Sequence, residues 1–508
     1  MSSRRFGARA AAVPFLVLTA LSLLLWGALW SIDHGALPPA PWVVWGDPGA
    51  ADAMLGFAEV TVGVLAITIT VVAIVVELAA TRYTPRITEL FVRDPVNVSV
   101  MGLFVVTSVV VTWSELSLHE EPYPRALAVG AVALMTASQL ALLPYFAYVF
   151  DFLSPTGVIE RIRAQGTRQL RGLSAGVRPV PAARGDVVRA VEQLGDIASN
   201  SIEKKDKVLV LAALQALEQV ALDGLARKDG LPVAWFDTAP LVRVDQDFVA
   251  LHPDLVRALT ERRTWLEMKV LRQYQEVFGE ALHRMRDVNH LIAIHTRRVA
   301  IAAMQHGDEA ACTLVMRFLN TYLRTAINAR DVRTVYNLFN EYRLLGERAQ
   351  ELGRREVVLE VARFLKVYGQ IAFSADLPFL LETAAYDLGR LVEVAHERGD
   401  PSHDALLGWF LQLDREAEGR SQEASLRGVR KAQIKLGTWY LTRGDTASAD
   451  KIALDLRDED PARLAALRVE LEQVTEAEYW EVSDRGVNFE WLPEAQRDAL
   501  RDLFERVG

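Results

Sequence analysis

Cysteine is nearly absent. Among 508 residues only Cys312 is present, so an intrachain disulfide and a multi-cysteine zinc or iron–sulfur site are both excluded. Lysine is missing from the first 154 residues, which hold seven Arg and eleven Asp or Glu. The remaining 354 residues carry the other 49 basic and 54 acidic side chains. So charge-poor a stretch reads as lipid-facing, and the rest as an ordinary soluble domain large enough for its own core. That division, with a mean hydropathy of +0.13, excludes a purely soluble enzyme, a disordered chain and a disulfide scaffold. Net positive charge is lacking too. A balance of −9 and a pI near 5.6 argue against a nucleic-acid partner, because neutralising phosphates needs a basic face. Nor is there a Walker loop, a dinucleotide glycine fingerprint, an H-E-x-x-H or a G-x-S-x-G. The expectation is a protein that is not an enzyme and takes no cofactor.

What the first part has is long apolar runs. Four can cross roughly 30 Å of hydrocarbon at 1.5 Å per residue: about 10–32, 54–76, 96–113 and 126–150. The first follows Arg4, Arg5 and Arg9, as in a secretory signal. Its apolar run exceeds the usual span of about 7–15 residues and no A-x-A site follows, so it reads as a retained anchor. Basic residues fall on alternate flanks: the N-terminal tail, then Arg82, Arg86 and Arg93, then Arg161, Arg163, Arg168 and Arg171. The other two loops have none at 33–53, and Glu115, Glu120 and Glu121 at 115–124. The positive-inside rule then places both termini and the whole soluble domain in the cytoplasm. Trp30, Trp42 and Trp45 fit an outer aromatic belt.

The second span contains the intramembrane carboxylates. Glu59 and Glu77 are eighteen residues apart, five helical turns, so they share a face. Gly63, Ala66, Thr70 and Ala73 lie on that stripe, with Phe57, Val64, Val72 and Val75 opposite. Small and polar residues suit close helix packing, or the lining of a hydrated path in a symmetric assembly. Both glutamates lie roughly 12–15 Å from the midpoint, within reach of the interfaces, which favours the packing face. In the third and fourth spans, Thr107, Ser108, Thr112, Ser138 and Gln139 are candidates for hydrogen bonds to neighbouring helices. In the loop between spans two and three, Thr84 can cap a short helix beginning at Pro85 and ending at Asp94–Pro95. Arg86 and Arg93 would then meet headgroups. A simple loop between two spans fits that segment equally.

Residues 77–111, ELAATRYTPRITELFVRDPVNVSVMGLFVVTSVVV, resemble the bacterial predicted membrane protein family known as domain of unknown function 2254. Its members show an S/T-P-R motif, a short helix with R-D, and a span opening with Gly. The matching positions are Thr84, Pro85, Arg86, Arg93, Asp94 and Gly102. A looser similarity covers FLNTYLRTAINARDVRTVYNLF at 318–339, where the family has Asn-Asp-Pro and this chain has Asn328 followed by Ala329. The resemblance covers about 54–170 well and 296–345 loosely. It implies a multi-span protein of the bacterial inner membrane with a cytoplasmic domain, and it brings no activity.

Residues 155–185 are rich in Gly, Pro and Arg and read as a juxtamembrane connector attracted to anionic lipid. From 186 to 508 one helix pattern follows another, including an unbroken stretch at 253–306; only 233–249 looks extended, as a small hairpin. Three joints share a punctuation: Gly307–Asp308, Gly399–Asp400 and Gly444–Asp445. Gly suits a left-handed helix exit, and Asp caps the next helix. KAQIKLGTWYLTRGDTASADKIALDL at 431–456 resembles a tetratricopeptide-like hairpin. Joint spacings of 92 and 45 residues show no strict period. The expected fold class is therefore all-α: a four-helix transmembrane bundle at 1–154, then a cytoplasmic irregular solenoid or bundle.

One constellation suggests a metal. His283, Asp287 and His290 fall at i, i+4 and i+7 on a helical pattern, and two imidazoles with a carboxylate are adequate ligands for zinc, iron or manganese. Val277, Ala281, Met285, Val288 and Ile292 form the opposite face, which makes the line the ordinary solvated side of an amphipathic helix. The leading expectation is a non-enzymatic membrane protein whose helical domain binds a cytoplasmic protein partner. The alternative is a homo-oligomeric channel or transporter lined by Glu59, Gly63, Thr70 and Glu77.

Overall fold

The computed structural model describes residues 8–35, 49–82, 87–117, 124–414, 426–479, 482, 484–486 and 488–508. Among them every regular element is a helix. The chain divides into two compact units, Met1–Glu160 and Arg161–Gly508.

The first unit contains α1 (Ala8–Asp33), α2 (Gly49–Arg82), the short α3 (Ile87–Val92), α4 (Pro95–Ser117) and α5 (Arg125–Phe152). α1, α2, α4 and α5 are long and apolar enough to cross a membrane. Their large apolar side chains point outward at positions such as Leu24, Ile67 and Leu143, the last 78% exposed. An aqueous fold would not leave such chains in solvent, whereas lipid receives them at no cost. α1, α4 and α5 pack against one another, and α2 packs on α4 and α3. Glycine permits the closest approaches. A Cβ at Gly130 of α5 would stand 2.6 Å from Leu29 of α1, so Leu29 occupies the notch that Gly130 leaves. At the end of α1, the Asp33 carboxylate accepts the amides of Ala126 and Leu127 at 2.7 and 2.9 Å. Two orphan donors of the α5 N-terminus are satisfied in this way. Ser108, Thr112 and Ser138 return their hydroxyls to carbonyls of their own helix, at Phe104, Ser108 and Met135, rather than bridging to a neighbour.

The second unit is a two-layer array of helix pairs. After α6 (Pro155–Ser174), which makes most of the expected connector helical, come α7 (Val180–Glu203) and α8 (Lys207–Arg227). Then follow α9 (Ala239–Val242), α10 (Gln246–Val249), α11 (Pro253–Glu261), α12 (Trp265–Arg284), α13 (Asp287–Gln305) and α14 (Glu309–Asn328). Next are α15 (Val332–Glu351), α16 (Arg355–Ser374), α17 (Pro378–Arg398) and α18 (His403–Phe410). We number the remaining described helices α19 (Arg427–Thr442), α20 (Thr446–Leu456), α21 (Pro461–Gln473) and α22 (Glu494–Val507). One layer runs α8, α13, α15, α17, α19, and the other α7, α12, α14, α16, α18. Each helix touches its sequence neighbour and the next helix of its own layer.

A strict period does exist in this array. Gly307, Arg330, Gly353, Asp376 and Gly399 all have left-handed backbone, and successive members are 23 residues apart. Each therefore ends a helix of about twenty residues, and a helix pair repeats every 46. The pattern escapes a search for Gly–Asp because Arg330 and Asp376 fill the left-handed positions that glycine takes elsewhere. Asp308, Asp331 and Asp445 cap their helices by accepting amides three residues on, at Ala311, Thr334 and Ser448 (2.9, 3.1 and 3.0 Å). Asp400, expected to cap α18, instead accepts the Ser402 amide before that helix, and Arg354 and Leu377 supply no side-chain cap. The apparent helix at 253–306 is broken twice, at Arg263 with φ +57° and at Met285 with φ −154° and ψ 67°.

The expected hairpin is not formed. Residues 233–249 make a 3₁₀ turn at Val233–Phe236 and then α9 and α10. Leu241, Asp245 and Phe248 are buried, an i, i+4, i+7 spacing rather than alternation, and Asp245 caps α10 through the Asp247 amide. α8 is also long and apolar enough for a span. Leu209, Val210, Leu214, Leu217 and Val220 are buried inside the second unit, where α8 packs on α7, α12 and α13.

Candidate functional site

The second span presents its polar stripe away from the rest of the unit. Among the described residues of α2, Thr61, Thr68, Val72, Val76 and Ala79 are buried, and they lie on the side opposite the carboxylates. Glu59, Gly63, Thr70 and Glu77 are all exposed. The stripe is thus not what packs α2 on α4 within this unit. At 100° per residue the stripe stands about 180° from the buried side. The β-branched face packs on α4 instead, and the Thr70 hydroxyl turns back to the Ala66 carbonyl at 2.8 Å.

Around the inner loop, Thr84, Pro85 and Arg86 lie outside the described residues. Asp94 does not end a helix so much as begin one. Its carboxylate accepts the amides of Val96 and Asn97 at 2.9 and 3.3 Å, with Pro95 as the first residue of α4. The Tyr148 hydroxyl donates to the same Asp94 oxygen, and Tyr145 donates to Asn97 at 2.7 Å. The Asn97 amide in turn donates to the Phe91 carbonyl at 3.2 Å. Arg93 directly precedes this knot, which pins α3 and α4 to α5. Asn97, Tyr145 and Tyr148 were not singled out in the sequence, because their partners lie about fifty positions away.

His283, Asp287 and His290 do not share a helix. The chain breaks at Met285, so His283 ends α12 while Asp287 opens α13. Asp287 pairs with Lys207 at 2.6 Å, whose ammonium holds its carboxyl below the usual range. His290 lies 3.3 Å from Glu341. Among the described residues no group of three or more metal-ligating side chains is assembled. Met285 is buried in the turn, and that apolar anchor rather than a ligand set determines the local geometry.

The second unit carries one face with converging polar chemistry. Asp387 on α17 is buried, yet it accepts two bonds from Arg485 at 2.8 and 3.1 Å. Arg333 and Asn337 of α15 bind the Asp484 carboxylate at 2.7 and 2.9 Å and hold it down to about 2. Lys435 of α19 donates to the carbonyls of Phe489 and Trp491 at 2.8 and 3.0 Å, and burial lowers its ammonium. Nearby, Glu382 is pushed up to about 7 by burial and by the charge of Glu490, against the pull of Lys431. A cavity of about 50 Å³ lies between Gln370, Leu381, Asp414 and Leu426, room for water.

With this geometry in place, comparison with known proteins locates the chain. Residues 8–228 match the family described as predicted membrane protein, DUF2254. That agrees with the resemblance read from the R-D segment. The DUF2254 match extends beyond 54–170 on both sides, to take in α1, α7 and α8, and 296–345 lies outside it. The polar stripe and the Asp94–Asn97–Tyr145 knot are thus in the DUF2254 region; the α15–α17–α19 face is not. No curated protein matches the chain. Among solved structures, a circular tandem repeat protein with novel repeat topology and enhanced subunit contact surfaces is similar at 16% identity. It covers 91% of this chain and 97% of its own at a TM-score of 0.24, which carries no argument about fold.

Proposed function

We propose that this chain is a non-enzymatic, multi-pass protein of the bacterial inner membrane. Its N-terminal four-helix bundle anchors a helical interaction domain on the cytoplasmic side, where it binds a protein partner. The observation that carries this reading is the pairing of two unlike units. One turns apolar side chains outward, and the other is a 23-residue helical array of the kind that stacks into extended binding surfaces. The basic flanks of the spans supply the orientation. α8 is taken as a core helix rather than a fifth span, because it holds Glu218 in a buried contact with His295 at 2.7 Å. In-cell crosslinking from native membranes tests the reading. A reproducible protein captured on the α12–α20 array is expected, and an array that captures none refutes it.

The exposed α2 stripe favours a second reading, an oligomeric channel or transporter. Carboxylates facing lipid are costly, and a symmetric assembly around α2 would give Glu59, Thr70 and Glu77 a polar or hydrated surrounding. Ion flux in liposomes that changes in a Glu59→Gln/Glu77→Gln variant would support it. A monomeric particle in mild detergent would rule it out.

A further inference from the structure

Between α21 and α22 the described residues 484–486 and 488–492 lie against the α15–α17–α19 layer, none of them in a helix. What holds this strap is unlike what holds the helices. Arg485 forks onto Asp387, donates also to the Tyr336 carbonyl, and places its guanidinium 4.1 Å from the centre of the Tyr336 ring. Four residues on, Phe489 stacks on Tyr386 with centroids 4.8 Å apart and planes at 12°. Lys435 grips two main-chain carbonyls, a contact open to any sequence. These are the devices of peptide recognition: charged fork, aromatic seat and carbonyl clamp.

Leu338, Leu388 and Leu391 are fully buried in the layer on which the strap lies. With the strap released, Asp387 would keep Arg343 at 3.3 Å. α21 and α22 dock on α19 independently of the strap, so both of its ends stay tethered.

We propose that the α15–α17–α19 face is a peptide-binding surface that the strap occupies in cis. Its partner in trans is a protein segment of the same chemistry: an acidic residue, then Arg, with an aromatic four positions after the Arg. This rests on the interaction-domain reading above and names its binding face. A tethered ligand competes at an effective concentration on the order of millimolar, so the unaltered chain masks the face from a free peptide.

The probe is a labelled synthetic peptide of residues 478–492, titrated against the full chain in detergent. The Arg485→Ala/Phe489→Ala variant, its helical content unchanged, is expected to bind at least about tenfold more tightly than the unaltered chain. Adding Asp387→Asn should cancel that gain. Equal binding by both chains, or none by the variant up to about 1 mM peptide, overturns the proposal. Hydrogen exchange on the unaltered chain needs no variant. Amides at 484–491 should open more often than those of α17 and α19, and exchange only in concert with these helices would also overturn it. A partner crosslinked elsewhere on the array, with no peptide binding, sinks the strap proposal and leaves the interaction domain standing.

Discussion

Replacing Glu382 by glutamine removes a carboxyl that the fold keeps protonated longer than water would. Burial is the main cause, and Glu490 adds repulsion. The nearest compensating charge, Lys431, is already engaged by Glu490 at 2.6 Å and Glu470 at 3.0 Å. Space is tight as well: a Cβ at Gly428 would stand 2.1 Å from the Glu382 carboxyl, so the absence of a side chain there makes room for it. The carboxyl rises from an ordinary 4.5 to about 7. At 1.36 kcal/mol per pH unit, the charged form carries an upper-bound penalty of about 3 kcal/mol. The folded state binds the extra proton, so the group's contribution is most favourable below 4.5, falls as pH rises to 7, and is flat above. Glutamine has no such dependence. Glu382→Gln is therefore expected to be neutral near pH 4 and stabilising by up to about 3 kcal/mol at pH 8. Because a helical domain of this size opens in parts, the suitable assay is hydrogen exchange of the α17 and α19 amides at both pH values. A difference between Glu and Gln that does not change with pH would refute the reasoning. A glutamine variant less stable at pH 8 would mean that Glu382 is ionised and paired with Lys431.

Two further predictions address the repeat. A Cβ at Gly369 of α16 would lie 2.9 Å from Ala384 Cβ on α17, a contact with no flexible atoms to yield, so Gly369→Ala should cost about 1–3 kcal/mol. Unchanged thermal stability would contradict that close approach. At the Arg330–Asp331 joint, adjacent substitutions should act in opposite directions. Arg330→Gly relieves a left-handed residue and gains up to about 1 kcal/mol, whereas Asp331→Ala removes a cap from Thr334 and loses about 1 kcal/mol. Unfolding of both variants in the same direction would refute the joint geometry.

Much of the architecture was legible along the chain because its signals are local. Span length, the bare flanks at 33–53 and the Gly–Asp joints each depend on residues close in sequence. The repeat at 23 residues was not legible, since Arg330 and Asp376 adopt glycine's conformation without glycine's signature. Nor was the fate of His283, Asp287 and His290: their helical spacing holds only if the helix continues, and the buried Met285 turn ends it. The Asp387 face offered one faint sign, a carboxylate inside the apolar stretch from Ala384 to Gly389, while its Arg485 partner is 98 positions away.

The amino-acid sequence by itself determined the helical character of both halves, the lipid-seeking character of one and the caps between helices. Those follow from hydropathy, period and short-range hydrogen bonds, which act within a few turns of chain. Only the tertiary structure decided which side of α2 is buried, how Asp94, Asn97 and Tyr145 knot together, and what lies across α15, α17 and α19. The last two depend on groups about fifty to a hundred and fifty residues apart, and all three on packing rather than on any local preference of the chain.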